Sequence, residues 1–141
     1  MNEETTSPDF INIGVVTLDN KKVLMIRRAK PERGENGAVL EWAFPGGRQK
    51  YKETREECVE REVLAETGYH IKSIRQADIG FHPEFPVVVV YHLCSVIESE
   101  PVIKPSQPEE IAEVRWVDPK DVKKLITSSL NPKIAEFLAA N

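Results

Sequence analysis

Apolar positions in this chain fall into short runs rich in β-branched residues, separated by charged or turn-forming stretches. Phe10 to Leu18 (FINIGVVTL) and Val23 to Arg27 (VLMIR) flank Asp19-Asn20, and the pattern predicts a β-hairpin with a short polar turn. Arg28 to Asn36 reads as a charged turn, and Ala38 to Phe44 as a strand that runs into Pro45-Gly46-Gly47. Thr54 and Glu57 then form the S/T-x-x-E pattern of a capping box, and Gly68 stands where a C-terminal cap belongs, so the spacing predicts a helix from Arg55 to Thr67. Further strands are expected over Ile71 to Gly80, Val87 to Ile97 and Ile111 to Val117. Asp118-Pro119 and Asn131-Pro132 each place a proline at the first position of a late helix. The order predicts an α+β chain, an α/β/α sandwich with a mixed sheet between helices. One domain is expected over residues 9–141, after a flexible start at residues 1–8.

Composition narrows the picture. At 141 residues there is room for a single core, and 40% apolar with 30% charged residues is ordinary for a globular protein without a membrane-spanning helix. The acidic, polar start MNEETTSPDF has neither the basic residues nor the apolar core of a secretory signal, which implies a cytoplasmic address. Cys58 and Cys94 match no zinc or CxxC spacing and read as buried, reduced and structural. A net charge of -4 speaks against broad nucleic-acid binding, so an anionic substrate would have to be met locally. A divalent cation held by carboxylates would serve.

The predicted helix carries candidates for that role. At 100° per residue Glu56, Glu57 and Glu60 share a solvated side, whereas Glu62 and Glu66 lie on the side of Cys58, Val59 and Ala65 that should turn inward. Two like charges on an inward face are costly unless something positive sits between them. Mg²⁺ prefers carboxylate, carbonyl and water oxygens and keeps positions open for phosphates. Spacing alone equally allows both acids to pair with Arg61, Arg55 or Lys52, or to reach solvent.

The whole stretch from Gly47 to Tyr69, GRQKYKETREECVEREVLAETGY, resembles the Nudix box, G-x5-E-x7-R-E-U-x-E-E-x-G-U with U apolar, at Gly47, Glu53, Arg61, Glu62, Val63, Glu66 and Gly68. WAFPGG before it and EVRWV near the C-terminus are also similar to the flanks of Nudix hydrolases, the MutT-like pyrophosphohydrolases. Ala65 departs from the pattern, standing where the family has the first of two adjacent glutamates.

The resemblance implies a Nudix fold and hydrolysis of a nucleoside diphosphate linked to another group, with Mg²⁺, or Mn²⁺ in its place, as cofactor. Nucleoside triphosphates, oxidised ones included, and ADP-ribose are the leading substrates; a compact chain without an extra N-terminal domain tilts the expectation toward triphosphates. It further implies that Glu62, Glu66 and the Gly46 carbonyl ligate the metal, that Arg61 orients a carboxylate and that Glu53 pairs with Arg61 or holds a water. Glu109 and Glu110, in QPEEI, are candidates for the general base. Arg27 and Arg28 are candidate phosphate ligands, and Trp42, Phe44, Phe81 and Phe85 candidate stacking partners for a base. His70, His82 and His92 have no metal spacing and are expected to be packed or exposed. A non-catalytic nucleotide-binding module, favoured by Ala65, and an RNA 5′-end pyrophosphohydrolase are the alternatives. Oligomeric state stays open, a homodimer included.

Overall fold

The computed structural model describes residues 8–19, 21–33, 39–82, 85–106, 108–127 and 129–140. The expected flexible start, apart from Pro8, lies outside the described residues, as do Asn20 and the last three residues, 34–36, of the stretch read as a charged turn. Among the described residues seven strands, β1 (Asp9–Thr17), β2 (Val23–Arg33), β3 (Val39–Ala43), β4 (Gly46–Arg48), β5 (Ile71–Phe81), β6 (Val87–Val96) and β7 (Ile111–Val117), form one sheet with three helices, α1 (Arg55–Thr67), α2 (Val122–Leu125) and α3 (Pro132–Ala139). The main strand order is β3-β2-β1-β6-β5, with β4 paired to β1 and β7 to β2. β1 and β6 run parallel and every other pairing is antiparallel, so the sheet is mixed as expected.

The central strands read as continuous apolar runs because both sheet faces are covered, and successive side chains divide between two cores. Val15, Val23, Met25 and Leu93 join Val122, Ile134 and Leu138 beneath α2 and α3. Their neighbours Val16, Leu24 and Cys94 pack with Val59 and Val63 of α1. Alternation thus produces the α/β/α layers directly. Cys58 and Cys94 are free and buried, and burial pushes their thiols up to about 11 and about 12, which leaves them inert. Among the described residues no helix is long and apolar enough to cross a membrane.

Three elements depart from expectation. β2 continues through Arg33, because after a bulge Glu32 and Arg33 pair with Leu40 and Val39 of β3. Pro45-Gly46-Gly47 is expected to be a sharp turn, but Gly46–Arg48 is a short strand paired with Ile11, Asn12 and Ile13 of β1. The helix expected at Pro119 is only a 3-10 turn, Pro119–Asp121, followed by the single turn of α2, whose end at Ile126 takes extended backbone.

α1 has the termini its sequence calls for. Thr54 accepts the Glu57 amide while the Glu57 side chain accepts the Thr54 amide, and Gly68 ends the helix at φ 83° with its N–H on the Leu64 carbonyl. Beyond Gly68, Tyr69 meets Trp116 of β7 edge to face at 5.3 Å and accepts the indole N–H at 3.0 Å. Residues 101–106 cross the end of the helix, with the Val102 amide on the Gly68 carbonyl and the Ser106 amide on the Ala65 carbonyl, both at 2.8 Å. This strap leads straight to Glu109 and Glu110.

Candidate active site

The turn ahead of α1 and the last two turns of the helix place the box side chains. Arg61 reaches back to Glu53, its Nε 2.5 Å and one terminal nitrogen 3.0 Å from the two carboxylate oxygens, and its other terminal nitrogen lies 3.1 Å from Glu62. The guanidinium holds Glu53 down to about 2, and the same partners raise Arg61 further above its ordinary value. Glu53 therefore pairs with Arg61, and the same guanidinium also meets Glu62.

Glu66 is different. It pairs with neither arginine of its helix nor with Lys52; one carboxylate oxygen accepts the Gly46 N–H at 3.0 Å. Burial pushes its carboxyl up to about 8, and Glu62 and Glu110 push the same way against the Gly46 amide and Arg28. Such a group is either protonated or needs a positive charge beside it.

Glu66 and Gly46 border a cavity of ≈ 910 Å³, together with Arg28, Trp42, Phe44, Glu109 and Glu110. Most of the candidate residues are thus brought to one place from β2, β3, β4, α1 and the residues just ahead of β7. Arg27 is not among the lining residues; it lies between Glu113, at 3.2 Å, and Glu41, at 3.6 Å. Phe85, expected to stack on a base, is also outside the lining, 61% exposed and beside His82 with ring centroids 4.9 Å apart. Phe81 is 80% exposed. Glu62 is also outside the lining, its Cδ 2.5 Å from where a Cβ on Gly47 would stand.

The residues suit a hard divalent cation in part. Glu62 and Glu66 are oxygen donors one helical turn apart, and the half-buried Glu66 carboxyl gains most from a neighbouring positive charge. Among the described residues no three His, Cys, Asp or Glu side chains stand together as a complete metal cage. The set fits an ion that retains waters and takes substrate oxygens to fill its shell, the habit of Mg²⁺.

Tyr91, Leu40, Ile126, Leu130 and Asn131 also stand on the wall and escaped sequence analysis as site residues. Tyr91 carries the signal of strand alternation beside buried Val90 and His92, but nothing in the sequence says which end of β6 faces a cavity. Trp42 is held from one side by Arg115, whose guanidinium carbon lies 4.5 Å from the ring centroid.

The model of the NUDIX domain matches residues 9–139. The chain belongs to the Nudix hydrolase family. A Nudix hydrolase from Nitrosomonas europaea has a TM-score of 0.76 at 19% identity, over 98% of this chain and 74% of its own. An ADP-ribose pyrophosphatase from Streptococcus suis has a TM-score of 0.68 at 20% identity, over 95% of this chain and 92% of its own. These likenesses carry the fold. In sequence, the mRNA-decapping enzyme subunit 2 of Arabidopsis thaliana is 34% identical over 77 residues, which are 53% of this chain but only 20% of that protein. Nudix hydrolases generally use a divalent metal, in keeping with the acids on α1.

Proposed function

We propose that this Nudix hydrolase cleaves a nucleoside diphosphate linked to a further group, with Mg²⁺ as its ordinary cofactor and Mn²⁺ able to replace it. The products would be a nucleoside monophosphate and either pyrophosphate or a phosphorylated remainder. The observation that carries this is Glu66, a carboxyl that burial and two neighbouring acids make costly to ionise, set on the wall of a cavity that also holds an arginine and three aromatic rings.

Glu62, Glu66 and the Gly46 carbonyl would hold the cation. When bound, it would neutralise phosphate charge and lower the pKa of water. Arg28 would bind a phosphate oxygen, and Trp42 and Phe44 would face the base. Glu110 or Glu109 would accept the proton of the attacking water as its oxygen bonds to phosphorus and the bridging P–O bond breaks. Arg61, fixed by Glu53, would keep Glu62 in place. Triphosphates, oxidised ones included, and ADP-ribose both fit a nucleoside diphosphate with a variable attachment.

Purified protein with Mg²⁺ should be offered nucleoside triphosphates, ADP-ribose, dinucleoside polyphosphates, nucleotide sugars and a capped RNA, with Glu66→Gln alongside. Cleavage by the parent and its loss in the variant are expected. Nucleotide binding without cleavage of any linkage would make the chain a binding module, as Ala65 allows. Preference for the capped RNA would favour the activity named for the decapping relative.

A further inference from the structure

Two fully buried polar side chains, Asn12 on β1 and His92 on β6, lie in the sheet away from the cavity and have no part in the chemistry above. Burying them is costly unless every polar atom is paired. They belong to a chain of hydrogen bonds that ends at the box. Gln49 Nε2 donates to the backbone carbonyl of Glu53 at 2.7 Å. Since a carbonyl only accepts, the Gln49 oxygen is left to accept, and it takes Asn12 Nδ2 at 3.0 Å. The Asn12 oxygen must in turn accept, and His92 Nε2 stands 2.8 Å away. That nitrogen therefore carries the proton, and the neutral ring receives the Ser73 hydroxyl on Nδ1, at 2.8 Å. The Ser73 amide donates to Glu60 of α1 at 3.1 Å. One backbone carbonyl thus sets the direction of every bond in the chain.

We propose that His92, Asn12 and Gln49 are positioning residues that hold the turn carrying Glu53, and through Glu53 and Arg61 the carboxylate of Glu62; this rests on the hydrolytic role proposed for the same site. A second observation shows why the turn needs holding. Lys52 within it has φ 67°, in the left-handed region that side chains disfavour, and the turn's own closure consists of the Lys50 amide on the Glu53 carboxylate at 2.9 Å and the Glu53 amide on the Lys50 carbonyl at 3.1 Å. Gln49 braces the Glu53 backbone from the sheet side, so the carboxylate can serve Arg61 and the Lys50 amide together.

The test compares Gln49→Met, His92→Leu and His92→Gln, whose side-chain amide can supply the donor otherwise provided by Nε2. Gln49 is half-buried, so Gln49→Met is expected to fold even where a core variant does not. On the substrate identified by the panel, Gln49→Met and His92→Leu should lower kcat by roughly 10-fold or more with KM within about twofold, the size of effect usual for residues that orient a metal site. His92→Gln should recover most of the loss. Independently of activity, amide hydrogen exchange at Lys50 and Glu53 should accelerate by about 10-fold in Gln49→Met, while amides of β5 and β6 keep their protection. Unchanged exchange at Lys50, unchanged kcat in Gln49→Met, or His92→Gln as impaired as His92→Leu would overturn the proposal. A parent that cleaves nothing would defeat the hydrolytic role alone, with the exchange result still deciding whether the chain of bonds holds the turn.

Discussion

Gly46 and Gly47 are adjacent, yet a methyl group on each should fail in a different way. On Gly47 a Cβ would stand 2.5 Å from both Cδ and Oε2 of Glu62, whereas ordinary contacts begin near 3.4 Å, so the carboxylate has to retreat by roughly 1 Å. Glu62 is the end of a flexible side chain and can do this, at the expense of its 3.1 Å contact with Arg61. Losing part of one charge-assisted bond costs about 1 kcal/mol of stability, a fall in Tm of about 2–5 °C. A displacement of that size in a group that orients the reacting centre costs on the order of 100-fold in kcat/KM, about 2.7 kcal/mol of transition-state stabilisation. On Gly46 the added atom would overlap the Asn12 carbonyl oxygen and lie 2.8 Å from the Ile13 Cα, both backbone, and only separation of β4 from β1 relieves it. Gly46→Ala should therefore lose about 3 kcal/mol and about 10 °C. Thermal denaturation and steady-state kinetics on both variants check the contrast. If Gly47→Ala keeps activity within about threefold, or loses as much Tm as Gly46→Ala, the placement of Glu62 against Gly47 is wrong.

Metal-free protein should lose stability as pH rises from about 4.5 to about 8, since across that window folded Glu66 keeps a proton that the unfolded chain has released, and urea midpoints from pH 5 to 9 should show a slope that Glu66→Gln removes. Arg61→Lys keeps the charge but not the fork that spans Glu53 and Glu62, so kcat should fall about 10- to 100-fold with a small change in Tm. Gly68→Ala should destabilise by more than the ~1 kcal/mol expected for Thr54→Ala, because it combines φ 83° with a Cβ against the Ile103 carbonyl; paired thermal melts decide. Ala65→Glu should raise the number of Mn²⁺ ions bound per chain, counted by electron paramagnetic resonance, and an unchanged count would separate Ala65 from metal number.

Features set by local chemistry were legible in the sequence. The caps of α1, the division of its acids and the strand runs each follow from residues a turn or two apart, and the structure keeps them with one exception among the acids. One member of the solvated group moved: Glu60 accepts the Ser73 amide at the β5 bulge, a contact that depends on how the helix lies across the sheet. What long-range pairing decides was not legible. β4 hides in a Pro-Gly-Gly sequence because its partner in β1 lies far earlier in the chain, Gly46 pairing with Ile13 and Arg48 with Ile11. Asn12 and His92 interrupt apolar runs without altering their period, so nothing in either strand says that the two meet. Arg27 and Arg28 were equivalent as sequence, but strand alternation sends only Arg28 to the cavity.

The same distinction governs Glu62 and Glu66. Helical spacing places both on the inward side, and from that alone they are a symmetric pair. Tertiary structure makes them unequal: Glu62 has a guanidinium 3.1 Å away, while Glu66 has a backbone amide, with burial and two other acids acting against its charge. A full second acid at position 65 would add to that repulsion, whereas Ala65 leaves a set in which one added cation has most to gain at Glu66. The side chain that departs from the family pattern and the side chain with the most perturbed carboxyl are neighbours in the chain, and an acid at position 65 would add a like charge beside Glu66: with one acid fewer, less positive charge is needed to keep Glu66 ionised near neutral pH.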